Sequence, residues 1–354
     1  MALDRGSRDK MSSHERVLRA IEHKETDRLP RDFSAEGSLV ERLCERLGLP
    51  DGDALGKRFK VDLFYAGIPI HCPYTDGRNI YGIRYGSTPD GLTQNAVTHP
   101  LCDAATVGEV EAHAWPDPDW ADVEAAKKAA LEGRKRAKFV VCSTWGAIFG
   151  EAYRLMGMDN FMTGLYERPE VVRAIIRKLT RFYLEVDRRV FTACEGLIDM
   201  AYYGNDMGTQ RALLFRREQF QEFYVKPFQE MTGQAKRFGL KTMMHSCGAV
   251  SDVIPDIIVS GFDVLDPVQF TAEGMHPKRL KRDFGDDIAF HGCISAQRVL
   301  PLGTPDDVRA HVREVCEIMK RGGGYIFTSD QAITSDSPVE NVLAMYEEIE
   351  AAGR

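Results

Sequence analysis

From Lys138 onward the chain repeats one unit, a short β-branched or apolar run followed by a helical stretch. The runs read KFVVCS, LIDMAYY, LKTMMHS, FDVLDP, DIAFHGC and GYIFTS, and the stretches behind them span 146 to 195, 216 to 238, 251 to 259, 276 to 284, 305 to 320 and 338 to 351. Parallel strands cannot be joined by a tight hairpin, so each requires a crossover, most often a helix. Six such units, with RLPRDF and LFYAGI upstream, supply eight strands. That is the grammar of an α/β fold of the parallel (β/α)8 TIM-barrel type. A doubly wound open sheet shares the alternation, but neither G-x-G-x-x-G nor G-x-x-x-x-G-K-[ST] follows any strand, so the barrel is preferred.

The 354 residues are read as one barrel domain, 1–354, with an N-terminal cap and the first strands in 1–120 and the main repeats in 121–354. Ser12 or Ser13 opens an amphipathic helix through Val17, Leu18 and Ile21, preceded by a frayed leader at 1 to 11. A helix is expected at 36 to 47, and strands in VDLFYAGIPI (61 to 70) and NIYGIRYG (79 to 86). Ser337 and Thr304, each followed by Pro and an acidic third residue, are expected to cap the helices behind them.

Lys plus Arg number 46 against 53 Asp plus Glu, a net charge of −7 that disfavours nucleic acid as a partner. No apolar run reaches the ~18 to 20 residues of a membrane span, and the opening MALDRGSRDKMSSHER lacks the apolar middle of a secretory signal. A cytoplasmic protein without membrane partners is expected, its eight cysteines reduced.

A barrel carries its reactive groups at the C-terminal ends of its strands. Those ends read YYGNDMGTQ, HSCG, DPVQ, HGCIS and TSDQ, gathering Asp206, His245, Cys247, Gln269, His291, Cys293, Asp330 and Gln331 at one rim. His245 and Cys247 are two apart and share a strand face, so both can meet one metal ion. Imidazole and thiolate suit zinc, whose catalytic sites pair three protein ligands with an open position. Cys293, two strands further round, is a candidate third ligand, and His291, on the same ideal face, is its substitute. The alternative for H-x-C is a buried thiol beside a hydrogen-bonded imidazole.

Asp206 reads as a catalytic acid, base or hydrogen-bond acceptor, or as a carboxylate binding the amides of the next loop. Tyr203 is a candidate donor at the same rim. Asn205, Gln269 and Gln297 are candidates for orienting a polar substrate, or loop ties. Trp145, Phe149 and Met156 to Met158 line an apolar mouth or fill core.

The strings GNDMGTQ, AKRFGLKTMMHSCGAVSDVIPDIIVSGFDVLDPVQ, HGCISAQRVLPLGTPDDV, GGGYIF and SPVENVLAMYEEI resemble the uroporphyrinogen decarboxylase superfamily, as does the opening HERVLRAIEHKETDRLP. The resemblance covers nearly the whole chain and implies a (β/α)8 barrel with its pocket at the C-terminal rim. H-x-C-G is similar to the zinc motif of the corrinoid-dependent methyltransferase branch, which makes His245 and Cys247 the first two zinc ligands. That branch usually has a cysteine shortly before its final P-x-E-N helix; this chain has Asp330-Gln331-Ala332, which puts Gln331 in the ligand's place, with Cys293 as a compensating thiol. The tetrapyrrole decarboxylases carry R-x-x-G-R near the N-terminus, where this chain reads RLPRDFSAEGS. Arg31 alone cannot bind many carboxylates, which call for several guanidinium forks.

The expected function is therefore methyl transfer between a small molecule, as methylated donor or thiol acceptor, and a separate corrinoid protein, assisted by zinc. Its rivals are a metal-independent decarboxylase or lyase using Asp206 against a developing cation, and a non-catalytic barrel that binds a small molecule.

Overall fold

The computed structural model describes residues 9–87 and 94–353; the first eight residues of the expected leader lie outside them. Seven parallel strands form one sheet: β1 (Leu63–Gly67), β4 (Phe139–Trp145), β5 (Met200–Gly204), β6 (Lys241–His245), β7 (Val264–Val268), β8 (Ala289–Ile294) and β9 (Tyr325–Ser329), in that order. RLPRDF supplies the eighth as a single bridge: Arg31 pairs in parallel with Phe327, and its carbonyl accepts the Asp62 N–H at 2.8 Å just before β1. The cylinder closes through that bridge. The remaining strands, β2 (Tyr85–Ser87) and β3 (Gln94–Ala96), form a separate antiparallel pair. Most of the NIYGIRYG segment is turn, with the Asn79 side chain accepting the Tyr81 and Ile83 amides at 3.0 and 2.9 Å.

The helical stretches fall where the repeat predicts, with breaks the periodicity does not reveal. Residues 146 to 195 divide into Ile148–Met156, Met158–Glu167 and Pro169–Ala193, and 216 to 238 into Arg217–Phe223 and Val225–Arg237. Gly157, at φ 81°, separates the first two, and Pro169 begins the third at a first-turn position where its missing N–H costs no hydrogen bond. Thr304 caps its helix in a full capping box with Asp307. Ser337 does not cap: the last helix begins at Val339 behind Pro338, one residue too far on, and the Ser337 hydroxyl is buried with no hydrogen-bond partner among the described residues.

Side chains alternate across each strand, and here the inward set is layered. Leu63, Phe139, Met200, Met243, Val264, Ala289 and Ile326 form an apolar floor, sealed from below by Val17 and Ile21 of the helix Ser13–Ile21. That helix is tied down by charge: Arg16 and Arg28 both bond the fully buried Asp62 at 2.7 Å. Two residues beyond the floor the inward positions become Tyr65, Tyr202, His245, Asp266, His291 and Thr328, which line a cavity of about 360 Å³. The outward set packs against the helices in the larger core. No helix among the described residues is long and apolar enough to cross a membrane.

Candidate metal centre and its pocket

His245 ends β6, and Cys247 follows in the loop. Their Nε2 and Sγ atoms lie 3.1 Å apart. Asp206, in the loop after β5, joins them with Oδ1 3.2 Å from His245 Nε2. These ligand atoms all lie within 4.8 Å of one another, the only such grouping of His, Cys, Asp and Glu among the described residues. The two loops are locked by one side-chain and one backbone bond: Asp206 Oδ1 accepts the Cys247 N–H at 3.0 Å, and Ala249 N–H donates to Thr209 O at 2.7 Å. Gly248, at φ 84°, makes this approach feasible, since a Cβ there would stand 2.6 Å from Gly208 and Thr209 backbone atoms.

The imidazole is oriented from behind. Its Nδ1 lies 2.6 Å from Asp266 Oδ2 and 2.9 Å from the Tyr202 hydroxyl. With one proton on Nδ1 donated to Asp266, a cation that displaced the Nε2 proton would meet that nitrogen's lone pair beside Cys247 and Asp206, the carboxylate–histidine arrangement common behind metal ions. Burial works against a charged His245, but Asp266 and Asp206 outweigh it and raise its pKa well above the ordinary value. Burial, reinforced by Asp206, pushes the Cys247 thiol up despite His245 and Gln331. Asp206 is held down at about 2: burial opposes this, and His245 and the Cys247 backbone prevail. A half-buried thiol that resists ionisation beside an exposed carboxylate and an oriented imidazole is a donor set that a divalent cation completes, and it fits zinc.

Asp266 reaches both ways. Its Oδ1 bonds His291 Nδ1, while His291 Nε2 lies 3.1 Å from Asp32 Oδ2. Burial opposes protonation of His291, yet Asp266 and Asp32 push its pKa up to about 9. Tyr65 donates to Asp32 Oδ2 at 2.7 Å and Tyr202 to Asp266 Oδ2 at 2.5 Å. One hydrogen-bonded chain, Tyr65–Asp32–His291–Asp266–His245, thus spans the pocket. Both ring nitrogens of His291 are committed, so it is not the substitute ligand expected from its strand position.

Cys293 is not in the centre. It is wholly buried on the outer face, near Tyr325 and Cys316. The two-residue rule fails there because Gly292 and Cys293 take φ of 112° and 77°, and the β7–β8 register shifts between Leu265 and Val268. Gln331 is present, but with its amide nitrogen toward sulfur, 2.7 Å from Cys247 Sγ. Tyr203 also faces away from the pocket, its hydroxyl on Asp187 at 2.9 Å. Its neighbour Tyr202 faces in.

The amides serve the loops. Asn205 Oδ1 accepts the Phe149 N–H at 2.8 Å, Gln269 Oε1 the Gly248 N–H at 2.7 Å, and Gln297 Oε1 the Thr271 hydroxyl at 2.9 Å. Trp145 is at the mouth, 42% exposed, whereas Phe149 and Met156 are buried core. The expectations missed Asp32, Tyr65, Tyr202 and Asp266. Counting two residues up from the apolar floor finds the last three; Asp32 sits on a strand too short for any pattern.

The model of the family described as uroporphyrinogen decarboxylase (URO-D) matches residues 94–352. The chain belongs to the uroporphyrinogen decarboxylase family. Within that family, a uroporphyrinogen decarboxylase of Methylococcus capsulatus is 23% identical over 186 residues, 52% of this chain and 50% of that protein. A methylated-thiol–coenzyme M methyltransferase of Methanosarcina mazei is 23% identical over 202 residues, 56% of this chain and 49% of that one. The chain spans about half the length of these curated relatives. A solved methyltransferase from Methanosarcina mazei superposes with a TM-score of 0.69 over 97% of this chain and 99% of its own, at 16% identity, a likeness of fold.

Proposed function

We propose that this family member is an enzyme that moves a methyl group between a small molecule and a separate corrinoid protein, with zinc held by Asp206, His245 and Cys247. The observation that carries this reading is the convergence of those three side chains on one point, with His245 turned toward it by Asp266. Two kinds of similar protein in the family, a decarboxylase and a methyltransferase, leave the branch to the pocket. No Lys or Arg is among the described residues that line it. Arg31, the one guanidinium expected nearby, is buried elsewhere against Glu350 at 2.9 Å. A substrate with several carboxylates finds no guanidinium or ammonium group there, and the two lining imidazoles are already paired with Asp32, Asp266 and Asp206, which weighs against decarboxylation of a tetrapyrrole.

Zinc, when bound, would supply a positive centre that keeps a thiol ionised or polarises the atom from which a methyl group departs. The chain's own residues provide the rest. Asp266 fixes the His245 tautomer. The Gln331 amide donates to Cys247 sulfur, which favours the thiolate over the thiol. The apolar floor closes the pocket from below and excludes water.

The test is metal content together with turnover on the full chain. One zinc per chain is expected, lost in His245→Ala and in Cys247→Ala, with methyl transfer to or from a corrinoid lost in parallel. Metal-free protein of undiminished activity overturns the reading.

A further inference from the structure

We infer that the mouth of the pocket is a box for a methylated ammonium group, so that the small molecule in the proposed methyl transfer is a cationic N-methyl compound. The inference rests on that reading for its reaction and names the substrate class. Three rings meet where the 360 Å³ cavity opens onto a shallow depression of the surface: Tyr65, Trp145 and Tyr202 line both. Tyr65 and Trp145 are each 42% exposed, large aromatic surface left facing solvent. Tyr65 and Tyr202 stand 5.9 Å apart at 61°, Trp145 and Tyr202 5.4 Å apart at 84°. Rings set across one another at these angles present faces in more than one direction at the mouth. A flat neutral substrate would instead call for parallel faces to stack between.

The placement of Trp145 is built in. Its backbone takes φ 68°, a conformation that a bulky residue rarely adopts. The indole lies against the bare Cα of Gly204, where a Cβ would come within 2.1 Å of its ring. The ring centroid is thereby held 5.0 Å from that of His245. Strain and a missing side chain on the adjacent strand combine to keep this ring at the mouth.

The charge also suits a cation. Tyr65 and Tyr202 each donate their hydroxyl to a carboxylate, Asp32 and Asp266, which makes their ring faces more electron-rich. An imidazolium at His291 offsets one of these two charges, and with zinc on His245 Nε2, which keeps that imidazole neutral, the other charge would remain. Asp206 and a Cys247 thiolate would balance a divalent ion beside it. No Lys or Arg among the described residues lines the cavity or the depression.

The test compares choline with 3,3-dimethylbutan-1-ol, which has the same shape without the charge, by calorimetric titration of the full chain without corrinoid. Choline is expected to bind about tenfold more tightly than its neutral counterpart, in keeping with a cation shared by several partly exposed aromatic faces. Trp145→Leu should remove about tenfold of choline affinity, and Trp145→Phe, which keeps a ring, less than threefold. Equal binding of the two compounds, tighter binding of neutral anisole, or an undiminished Trp145→Leu variant overturns the box. Binding is read without turnover, so the two ideas fail separately. Selective choline binding without methyl transfer to a corrinoid sinks the proposed reaction and keeps the box; methyl transfer from a neutral donor with no choline selectivity does the reverse.

Discussion

The molecule contains H-x-C twice at the ends of barrel strands, and the two copies do opposite things. In His245-Ser246-Cys247 imidazole and thiol converge to 3.1 Å. In His291-Gly292-Cys293 the imidazole faces the pocket while the thiol is buried on the far side of the wall. The letters and spacing are the same; the backbone is not. The first pair leaves a regular strand before its chain turns at Gly248, whereas the second turns within the strand, at Gly292 and Cys293. Spacing predicts a shared face only while the pleat continues.

The same contrast appears in what each imidazole is for. His245 has one nitrogen held by Asp266 and one directed at the ligand cluster; His291 spends both nitrogens on Asp266 and Asp32. Asp266 serves both copies, so Asp266→Asn is the change that breaks the comparison most severely. Zinc affinity, measured by chelator competition, should fall about 10- to 100-fold as the His245 ring loses its anchor. Stability in urea should fall by roughly 3–5 kcal/mol, the usual result of removing one partner from a buried charged pair. Unchanged zinc affinity would remove Asp266 from the support of the centre.

A smaller effect separates the copies by pH. The folded pKa of His291, about 9, lies above the ~6.5 of an unfolded histidine. Its contribution is therefore complete below ~6.5 and lost as pH rises through about 9. The loss is on the order of 3 kcal/mol. Urea midpoints should fall across this range in the native chain, and that part of the slope should vanish in His291→Gln. Parallel pH profiles for the two proteins would contradict the assignment of an imidazolium between two carboxylates.

Gly292→Ala probes the turn itself. At φ 112°, with a Cβ 3.0 Å from the Val268 amide nitrogen, it should cost roughly 1–3 kcal/mol in thermal unfolding. Zinc content should stay intact, because the centre lies on the other copy. Cys293→Ala should have the smallest effect, about 1 kcal/mol for a lost buried sulfur, again with zinc at its native stoichiometry. Zinc lost from Cys293→Ala would place that thiol back among the ligands.

The barrel was readable because crossover connections impose the alternation of strand and helix, a signal carried by whole segments. His245 was readable because it obeys the period of a strand; Cys247 lies just past the end of β6, where the loop keeps its sulfur 3.1 Å from the imidazole. What escaped turns on single dihedral angles or on parity. Nothing in the letters HGC announces that residue 293 adopts a positive φ. Nothing in LIDMAYY says which tyrosine faces inward until Met200 is placed in the floor, and choosing Tyr203 over Tyr202 is the error of a one-residue slip. Asp206 was visible as a residue, yet its place beside Cys247 depends on two loops packed backbone to backbone. Asp32 was hidden because its strand amounts to one bridged residue, which only β9, almost 300 positions later, makes recognisable.

That one bridged residue has a consequence for assembly. Pro30, Arg31 and Asp32 stitch β9 to the edge of β1, through Phe327 and Asp62, and Asp32 is also the residue that holds the outer nitrogen of His291. The seam of the cylinder and the last link of its polar wiring are consequently fastened by the same three amino acids. Without that seam the wall would be a trough in place of a chamber, with one histidine half tethered, so closing the wall and completing the chamber are one and the same event.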